Sequence, residues 1–366
     1  MIKFLDLTRR QKKYRKEIEK AIKRPLRRGF FILGPELEKF EKDFGAYLGG
    51  GEVVGVNSGT DALCLALKAL GVNFGDEVIT VANTATPTIT AIRLAGAKPV
   101  FVDIDEKTLL MNPDLIEEKI TPKTKVILPV HLFGQPVSMS KVLSIAKKYK
   151  LKVVEDCAQA AGAKYQGRLV GTLGDIGCFS FYPTKNLGAL GDGGAIVTKN
   201  KKLAQVCRQL RNYGEAGKFN NVLEGCNSRL DEIQASFLGW SLGYLEDWNK
   251  TRRNLAKAYI DKLKDLPLVL PKQTEKNHES AWHLFVIRSR KRDLLAKYLA
   301  DNGVATAIHY PRPVTSQPVY KFLKISKKEL PITYKVSREI LSLPFYPELK
   351  LQEVKKICCY IRKFYE

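Results

Sequence analysis

The chain is poor in histidine, and its cysteines are not spaced as pairs. Only four histidines occur in 366 residues, and none lies beside a cysteine or carboxylate cluster with metal-ligand spacing, so we expect no structural metal. The seven cysteines are odd in number and include no C-x-x-C pair, which favours reduced core residues. Both scarcities argue against a zinc module and against a disulfide-stapled secreted domain.

Long apolar runs are also missing from the sequence. No uninterrupted apolar stretch approaches the length that crosses a bilayer, and residues 1–6 run into charge without an apolar signal region. We therefore expect a cytoplasmic protein that makes no membrane contact. Because 366 residues exceed one comfortable hydrophobic core, we also expect two domains.

Acidic residues are few relative to basic ones, 38 against 61, which leaves a net charge of +23. Such an excess of positive charge favours binding to nucleic acid, to an anionic surface or to a small anionic substrate. Residues 1–28 are strongly basic, but Ile18 and Ile22 at i, i+4 favour a helix with a solvated face. No nucleic-acid reading module is found, so we expect no specific nucleic-acid binding. A regulatory protein that binds anionic surfaces stays open as an alternative.

Short apolar runs alternate with helical patterns along the first two thirds of the chain. The pattern predicts an α/β fold in which about seven strands form a mostly parallel sheet covered by helices. The predicted strands are 53–56, 77–81, 99–102, 125–130, 152–155, 178–182 and 195–198. The predicted helices between them are 60–70, 87–95, 113–120 and 138–149. After residue 244, a long charged helix, a strand at 284–287 and helices near 293–302 and 352–364 indicate a smaller C-terminal α/β domain.

The first polar group at a strand end is Asn57-Ser58-Gly59-Thr60. In parallel sheets, ligands gather beyond the carboxyl ends of strands, where helix N-termini direct free N–H groups at anions. A phosphate would fit at Gly59 and Thr60, since glycine lets the backbone approach and threonine adds a donor. A plain helix N-cap is the alternative.

The second group is Asp156, which ends the apolar strand 152–155 and therefore projects into the same crevice. A carboxylate there needs a partner, such as the pyridinium nitrogen of pyridoxal phosphate. A helix cap is the alternative.

The third group contains Lys185, which stands in a glycine-rich segment with few other ionisable side chains. A desolvated lysine amine is a nucleophile and can bond covalently to a carbonyl. Ser180, five residues earlier, offers a phosphate a hydroxyl. A buried amine satisfied by carbonyls and a satisfied strand hydroxyl are the alternatives.

The order of these groups along the chain resembles that of the fold-type I pyridoxal-phosphate enzymes. The sequences of the motifs resemble those of the DegT/DnrJ/StrS sugar aminotransferases. Five ordered motifs carry the resemblance over nearly the whole chain. They are NSGTDAL at 57–63, VFVD at 100–103, VEDCAQA at 154–160, SFYPTKN at 180–186 and NSRLDE at 227–232.

The resemblance implies roles for the residues that meet pyridoxal phosphate. Lys185 would bind the cofactor covalently and later shuttle the proton. Asp156 would bind the ring nitrogen, and Gln159 would lie against the ring near its hydroxyl.

The resemblance also assigns the phosphate contacts. Gly59, Thr60 and Ser180 would hold the phosphate within one chain. In the family, the asparagine that matches Asn227 reaches the phosphate from the other subunit, which implies a homodimer with shared active sites. The family pattern further places an N-terminal arm, here 1–14, beside a small domain, here 246–366, with the large cofactor-binding domain at 15–245.

The reaction implied by the family moves an amino group from glutamate to a keto carbon of a nucleotide-linked deoxysugar. Lysine at position 185 favours aminotransfer over dehydration, since dehydratase relatives carry histidine there. The loop around Ala85 resembles the branch that acts on dTDP-3-keto-6-deoxyhexoses, so we favour amination at C3. Amination at C4 of a UDP- or dTDP-4-keto sugar stays open.

The resemblance also implies substrate-side roles for Tyr182, Arg229, His309 and Tyr310. A structural hydrogen-bonding histidine at 309 and an ordinary salt bridge or surface loop at Arg229 are the alternatives. Ala85 stands where many family members place an aromatic residue over the ring, so we expect a more open pocket. Relatives of the C3 branch often carry a second histidine at the position of Thr315, which this chain lacks.

Overall fold

The computed structural model describes residues 1–272 and 277–366. The α-helices in these ranges are α1 Leu7–Lys13, α2 Arg15–Arg28, α3 Pro35–Tyr47, α4 Gly59–Ala69, α5 Thr86–Leu94, α6 Met139–Tyr149, α7 Lys201–Leu210, α8 Glu232–Leu242, α9 Leu245–Leu263, α10 Arg292–Asp301, α11 Pro331–Val336 and α12 Leu351–Tyr365. The strands are β1 Glu52–Val56, β2 Glu77–Val81, β3 Lys98–Val102, β4 Thr124–Ile127, β5 Lys152–Asp156, β6 Lys164–Tyr165, β7 Arg168–Leu169, β8 Ile176–Ser180, β9 Gly194–Thr198, β10 Glu215–Gly217, β11 Asn220–Asn221, β12 His278–Glu279, β13 Phe285–Arg288 and β14 Ile340–Leu343.

Seven strands form the central sheet in the order β1-β9-β8-β5-β4-β2-β3. Neighbours pair in parallel except β9, which runs antiparallel to both β1 and β8. Every residue of β2 is buried, as expected for a strand whose two faces are both covered by helices. The predicted α/β fold with a mostly parallel seven-stranded sheet is confirmed.

The pairing brings several carboxyl strand ends to one edge of the sheet. Because β9 is antiparallel to both β1 and β8, those two strands point the same way, and β8 is parallel to β5. The turns that follow β1, β5 and β8 therefore lie side by side. Parallel pairing through β4 places the turn after β2 at this edge as well.

A second core forms around the antiparallel pair β13–β14 and helices α9, α10 and α12. Ile2 belongs to this core, and its backbone N–H donates to Gly303 O at 2.7 Å. Arg9 anchors the following helix by a bidentate contact with Glu353, with both N–O distances 2.7 Å. The first residues thus pack beside these C-terminal elements, while the division at 14 and 245 stays a prediction.

The helix predicted at 113–120 is wrong. The segment forms two short 3-10 turns, Pro113–Leu115 and Glu117–Lys119, and the backbone of Ile120 is already extended. Thr121 precedes Pro122, and a residue before proline disfavours the α conformation. The chain therefore becomes extended before Pro122 instead of continuing as a helix.

None of the helices in the described part of the chain is long and apolar enough to cross a membrane.

Candidate active site

A pocket of about 270 Å³ opens where the turns after β1, β2, β5 and β8 meet. It is lined by Ser58, Gly59, Thr60, Leu63, Thr84, Ala85, Pro87, Thr88, Val130, Leu132, Asp156, Ala158, Gln159, Ser180, Tyr182, Lys185, Asp192 and Gly193. Seven of the residues singled out from the sequence are therefore together in one cavity: Gly59, Thr60, Asp156, Gln159, Ser180, Tyr182 and Lys185.

Lys185 lies in the turn that follows β8. Its backbone N–H donates to Tyr182 O at 2.8 Å, which closes the turn. Burial lowers the pKa of the Lys185 amine to about 8, although the charge of Asp156 acts in the opposite direction. The amine is therefore deprotonated far more often than an exposed lysine, as a nucleophile requires.

Asp156 ends β5 at the floor of the pocket and is buried. Its Oδ2 accepts a hydrogen bond from Thr88 Oγ1 at 2.8 Å, and its Oδ1 accepts one from Ala158 N at 3.1 Å. Burial raises the pKa of this carboxyl, and those two bonds and Lys185 only partly offset the effect. A cationic group in the pocket would remove this burial penalty, and a protonated ring nitrogen is such a group.

The opposite end of the pocket is the N-terminus of α4. Ser58 caps this helix by accepting from Asp61 N at 3.1 Å, so the predicted N-cap is present one residue before Gly59. The N–H groups of Gly59 and Thr60 belong to the first turn, where a helix offers no internal acceptor. A Cβ on Gly59 would lie 2.6 Å from Ser180 Cβ, so only glycine lets the two turns come this close.

The helix N-terminus and the Ser180 hydroxyl together suit an anion. Backbone N–H groups and the helix dipole both favour negative charge at this position. The pocket thus offers an anion site at one end, a carboxylate at the floor and a lysine amine beside it, which is the donor set that pyridoxal phosphate needs.

Gln159 joins the pocket to Tyr310, which the sequence analysis expects on the substrate side. Its Oε1 accepts from Phe133 N at 2.7 Å, and its Nε2 donates to Tyr310 Oη at 3.3 Å. Burial raises the pKa of the Tyr310 phenol to about 12, so the hydroxyl stays protonated at neutral pH.

His309 lies next to this pocket and lines a second cavity of about 440 Å³ together with Thr184. Its ring stacks on Phe4 at 5.6 Å, and Nδ1 is 2.8 Å from Ser342 Oγ. Burial, assisted by the charge of Lys185, lowers the pKa of His309 to about 4. The imidazole is therefore neutral at physiological pH.

Asn227 and Arg229 do not line either cavity. Asn227 is exposed. Arg229 donates from Nη1 to Asn212 Oδ1 at 3.1 Å and lies over the Tyr213 ring at 5.7 Å. The neighbouring Ser228 is held at the turn after β1, because Asn57 N donates to its hydroxyl at 3.2 Å.

Thr84 and Thr88 were missed by the sequence analysis as site residues. Thr84 Oγ1 lies 2.9 Å from Thr88 Oγ1, which in turn donates to Asp156. Their position after the predicted strand 77–81, at the same sheet edge as the other turns, could have identified them as pocket residues.

A buried cluster of His131, Glu155 and Cys157 has ligand atoms within 4.8 Å of one another. His131 Nδ1 accepts from Val137 N at 3.0 Å, so Nε2 carries the proton and donates to Glu155 Oε2 at 3.0 Å. Both imidazole nitrogens are therefore used by the protein, and the cluster supports β5 rather than offering a metal site.

Residues 12–362 match the DegT/DnrJ/EryC1/StrS aminotransferase family. The dTDP-3-amino-3,6-dideoxy-alpha-D-galactopyranose transaminase of Aneurinibacillus thermoaerophilus is 46% identical over 357 residues, 98% of each chain. The erythromycin biosynthesis sensory transduction protein EryC1 of Saccharopolyspora erythraea is 45% identical over 348 residues, 95% of each chain.

The fold is also similar to solved structures of this kind. DesV of Streptomyces venezuelae, in complex with a ketimine intermediate, superposes with a TM-score of 0.97 at 43% identity, covering 99% of this chain and 98% of that one. Other solved relatives, between 27% and 36% identical, include PLP and PMP forms.

The chain belongs to the DegT/DnrJ/EryC1/StrS aminotransferase family. The predictions of family, fold type and aminotransferase activity are confirmed by these similarities.

Proposed function

We propose that this protein is a pyridoxal-phosphate aminotransferase that delivers an amino group to C3 of a nucleotide-linked keto sugar. The observation that carries the proposal is the meeting of Lys185, Asp156 and the N-terminus of α4 in one pocket. The sheet brings the three turns to one edge, but it does not require a lysine, a buried carboxylate and a free helix N-terminus there, whereas pyridoxal phosphate needs all three.

Pyridoxal phosphate fits this pocket by its donor groups. Gly59, Thr60 and Ser180 would hold the phosphate, Asp156 the ring nitrogen, and Gln159 the side of the ring that bears the hydroxyl. When bound, the cofactor supplies an electron sink for the carbon that exchanges its amino group.

The residues of the chain then have separate tasks. Asp156 keeps the ring nitrogen protonated, since a buried carboxylate favours a cation beside it. Lys185, with its pKa lowered to about 8, holds the cofactor before reaction and moves a proton at the reacting carbon as general acid and base in both half-reactions. We propose L-glutamate as the amino donor, because the family resemblance implies that donor.

The substrate side is assigned to Tyr182, His309, Tyr310 and Arg229. Tyr310 is a permanent hydroxyl donor and His309 a neutral imidazole, so both can bind sugar hydroxyls without charge. Several relatives are named as transaminases of 3-amino sugars linked to dTDP or UDP, which supports C3 over C4. Analysis of the aminated product by NMR distinguishes the two positions.

We also propose a homodimer with shared active sites. Asn227 is exposed here, while the family places its equivalent at the phosphate of the partner. An apolar patch lies close by: Phe30, Phe31 and Ile32 are 53%, 44% and 38% exposed, and Ile32 bridges to Asp231. Contiguous exposed apolar side chains of this kind mark protein interfaces. A cytoplasmic location and the domain limits 14 and 245 remain parts of the proposal.

The direct test is the visible absorption of the purified protein with added pyridoxal phosphate, followed by glutamate. We expect a yellow complex that glutamate bleaches, and no such complex in Lys185→Ala. Absence of the yellow complex in the wild-type protein would overturn the proposal.

A non-catalytic regulatory role is the second candidate. It is favoured by the name of the relative EryC1, a sensory transduction protein, and by the exposed basic helix α2. A regulator of this kind would bind an anionic surface equally well as wild type and as Lys185→Ala, whereas the aminotransferase loses all turnover in that variant.

A further inference from the structure

One buried polar network joins the turn of Lys185 to the turn that follows Asp156. Its members are Asn186, Asn249 and His283, whose exposed fractions are 2%, 0% and 7%. Asn186 directly follows Lys185, Asn249 lies in α9, and His283 precedes β13. None of them lines the cofactor pocket.

The direction of every hydrogen bond in this network follows from its geometry. Asn186 Nδ2 donates to Asn249 Oδ1 at 2.8 Å and to Ala281 O at 2.7 Å, which uses both of its hydrogens. Asn186 Oδ1, 3.1 Å from His283 Nδ1, must therefore accept from that ring nitrogen. Burial holds the pKa of His283 well below its usual value, so the ring is neutral and carries its proton on Nδ1.

Asn249 extends the network to the other cofactor turn. Its Nδ2 donates to Ala161 O at 3.0 Å, in the segment after Asp156 and Gln159. The adjacent Gly162 has φ +89°, and any Cβ there would collide with Asn249 Nδ2. The approach of Asn249 to this turn is thus built into the backbone.

We propose that Asn186, Asn249 and His283 are positioning residues that hold the Lys185 turn at a set distance from the Asp156 turn. The inference rests on the proposed role of Lys185 as the covalent cofactor lysine. Both ends of each amide are hydrogen-bonded, and the network runs from one cofactor turn through α9 to the other. Loss of a central member lets the two turns separate and admits water around Lys185.

Two consequences can be measured apart from each other. In the cofactor-free protein, water around Lys185 raises its pKa from about 8 toward the ordinary value of about 10.4. In the enzyme loaded with cofactor, misplacement of the Lys185 amine lowers kcat. A displacement of about 1 Å reduces such a rate by about 10²-fold. KM for the sugar changes little in Asn249→Ala, because Asn249 lines neither cavity, whereas His283 lines the cavity that contains His309.

The experiment measures acetylation of Lys185 against pH in the cofactor-free protein by mass spectrometry. Wild type and Asn249→Ala are compared with Asn254→Ala, which removes an exposed asparagine from the same helix. We expect the midpoint for Lys185 to rise by about one pH unit or more in Asn249→Ala and to stay in place in Asn254→Ala. An unchanged midpoint in Asn249→Ala overturns the inference, whatever happens to stability.

A second pair of variants covers the case in which Asn249→Ala does not fold. His283→Phe removes the hydrogen-bond donor to Asn186 Oδ1, while His283→Gln keeps a side-chain N–H donor at position 283. The inference requires a raised midpoint in His283→Phe and a midpoint nearer wild type in His283→Gln. Equal midpoints in both overturn it. Failure of the wild-type protein to turn yellow with pyridoxal phosphate is a different result, which overturns the proposed function instead.

Discussion

The floor and the rim of the cofactor pocket are built in different ways. At the floor, Asp156 and Gln159 are buried, and each makes two hydrogen bonds within its own chain. At the rim, Tyr182 is 52% exposed, and Asn227, which lies outside the pocket lining, is exposed as well. A single chain therefore satisfies the polar groups of the floor, but it leaves these outer side chains open to solvent.

This difference follows from the elements that carry the two parts. The floor is attached to β5, whose pairing with β4 and β8 is parallel and buried. The rim stands on loops at the surface, which are free to vary between relatives and to meet a second chain. We infer that reaction chemistry is set by the floor and that substrate choice and assembly are set by the rim.

The largest effect that separates floor from rim is expected for Asp156→Asn. The amide has the same shape but cannot favour a protonated ring nitrogen, so kcat should fall by about 10²- to 10³-fold, as for loss of one preorganised electrostatic group. The matched rim variant Asp192→Asn, at an exposed position of the same pocket, should lose less than about tenfold. Steady-state kinetics with glutamate check both, and equal losses would abolish the distinction.

The second prediction tests whether the rim is shared between two chains. Asn227→Asp places a carboxylate where the partner's phosphate is proposed to lie, which should weaken cofactor binding by about 10- to 100-fold. Mixed dimers of Asn227→Asp and Lys185→Ala chains contain one intact site if Asn227 acts on the partner. Random mixing then restores about one quarter of wild-type activity, whereas no recovery means that Asn227 serves its own chain.

The third prediction concerns the stability cost of burying the Lys185 amine beside the floor. Lys185 has a pKa lowered to about 8 in the folded chain against about 10.4 when unfolded. Between these values the unfolded chain binds more protons, so stability rises with pH. Lys185→Met should raise the unfolding free energy of the cofactor-free protein by roughly 1–2 kcal/mol near pH 7, and the gain should vanish above about pH 10.4.

Urea unfolding at pH 7 and above pH 10 measures this gain. The control is Lys199→Met, at an exposed position after β9 and outside the pocket, which should change stability by no more than about 0.5 kcal/mol. A gain at Lys199 as large as at Lys185 would contradict a cost specific to the buried amine.

The sequence predicted most of the floor because its residues sit at strand ends. Strand 77–81 coincides with β2, and the predicted 152–155 differs from β5 by one residue. Turn chemistry directly after a strand is local in sequence, so the residue pattern could place Gly59, Asp156 and Lys185 at one sheet edge. It left a cap or a satisfied amine open for each of them, and their roles toward a cofactor came from the family resemblance.

The supports of the floor could not be predicted in this way. Asn249 and His283 contact Asn186 from 63 and 97 residues away. No periodicity or motif relates positions at such separations, since only the packing of α9 against the cofactor turns brings them together. The wrong helix prediction at 113–120 has a local cause instead, because Pro122 disfavours the α conformation of the residue before it.

The smallest effect is expected at the roof of the pocket, where Ala85 lies on the turn before α5 and is half-buried. Ala85→Phe places a ring where relatives carry an aromatic residue, and an offset aromatic pair is worth about 0.5–1.5 kcal/mol. The dissociation constant for pyridoxal phosphate, measured by fluorescence titration, should therefore fall by about two- to tenfold. Because Ala85 belongs to neither the floor nor the proposed interface, kcat should change by less than the affinity. A loss of kcat in Ala85→Phe as large as that in Asp156→Asn would show that the open space above the ring is needed for the reaction. The division of the pocket into a floor that sets the chemistry and a rim that does not would then be wrong.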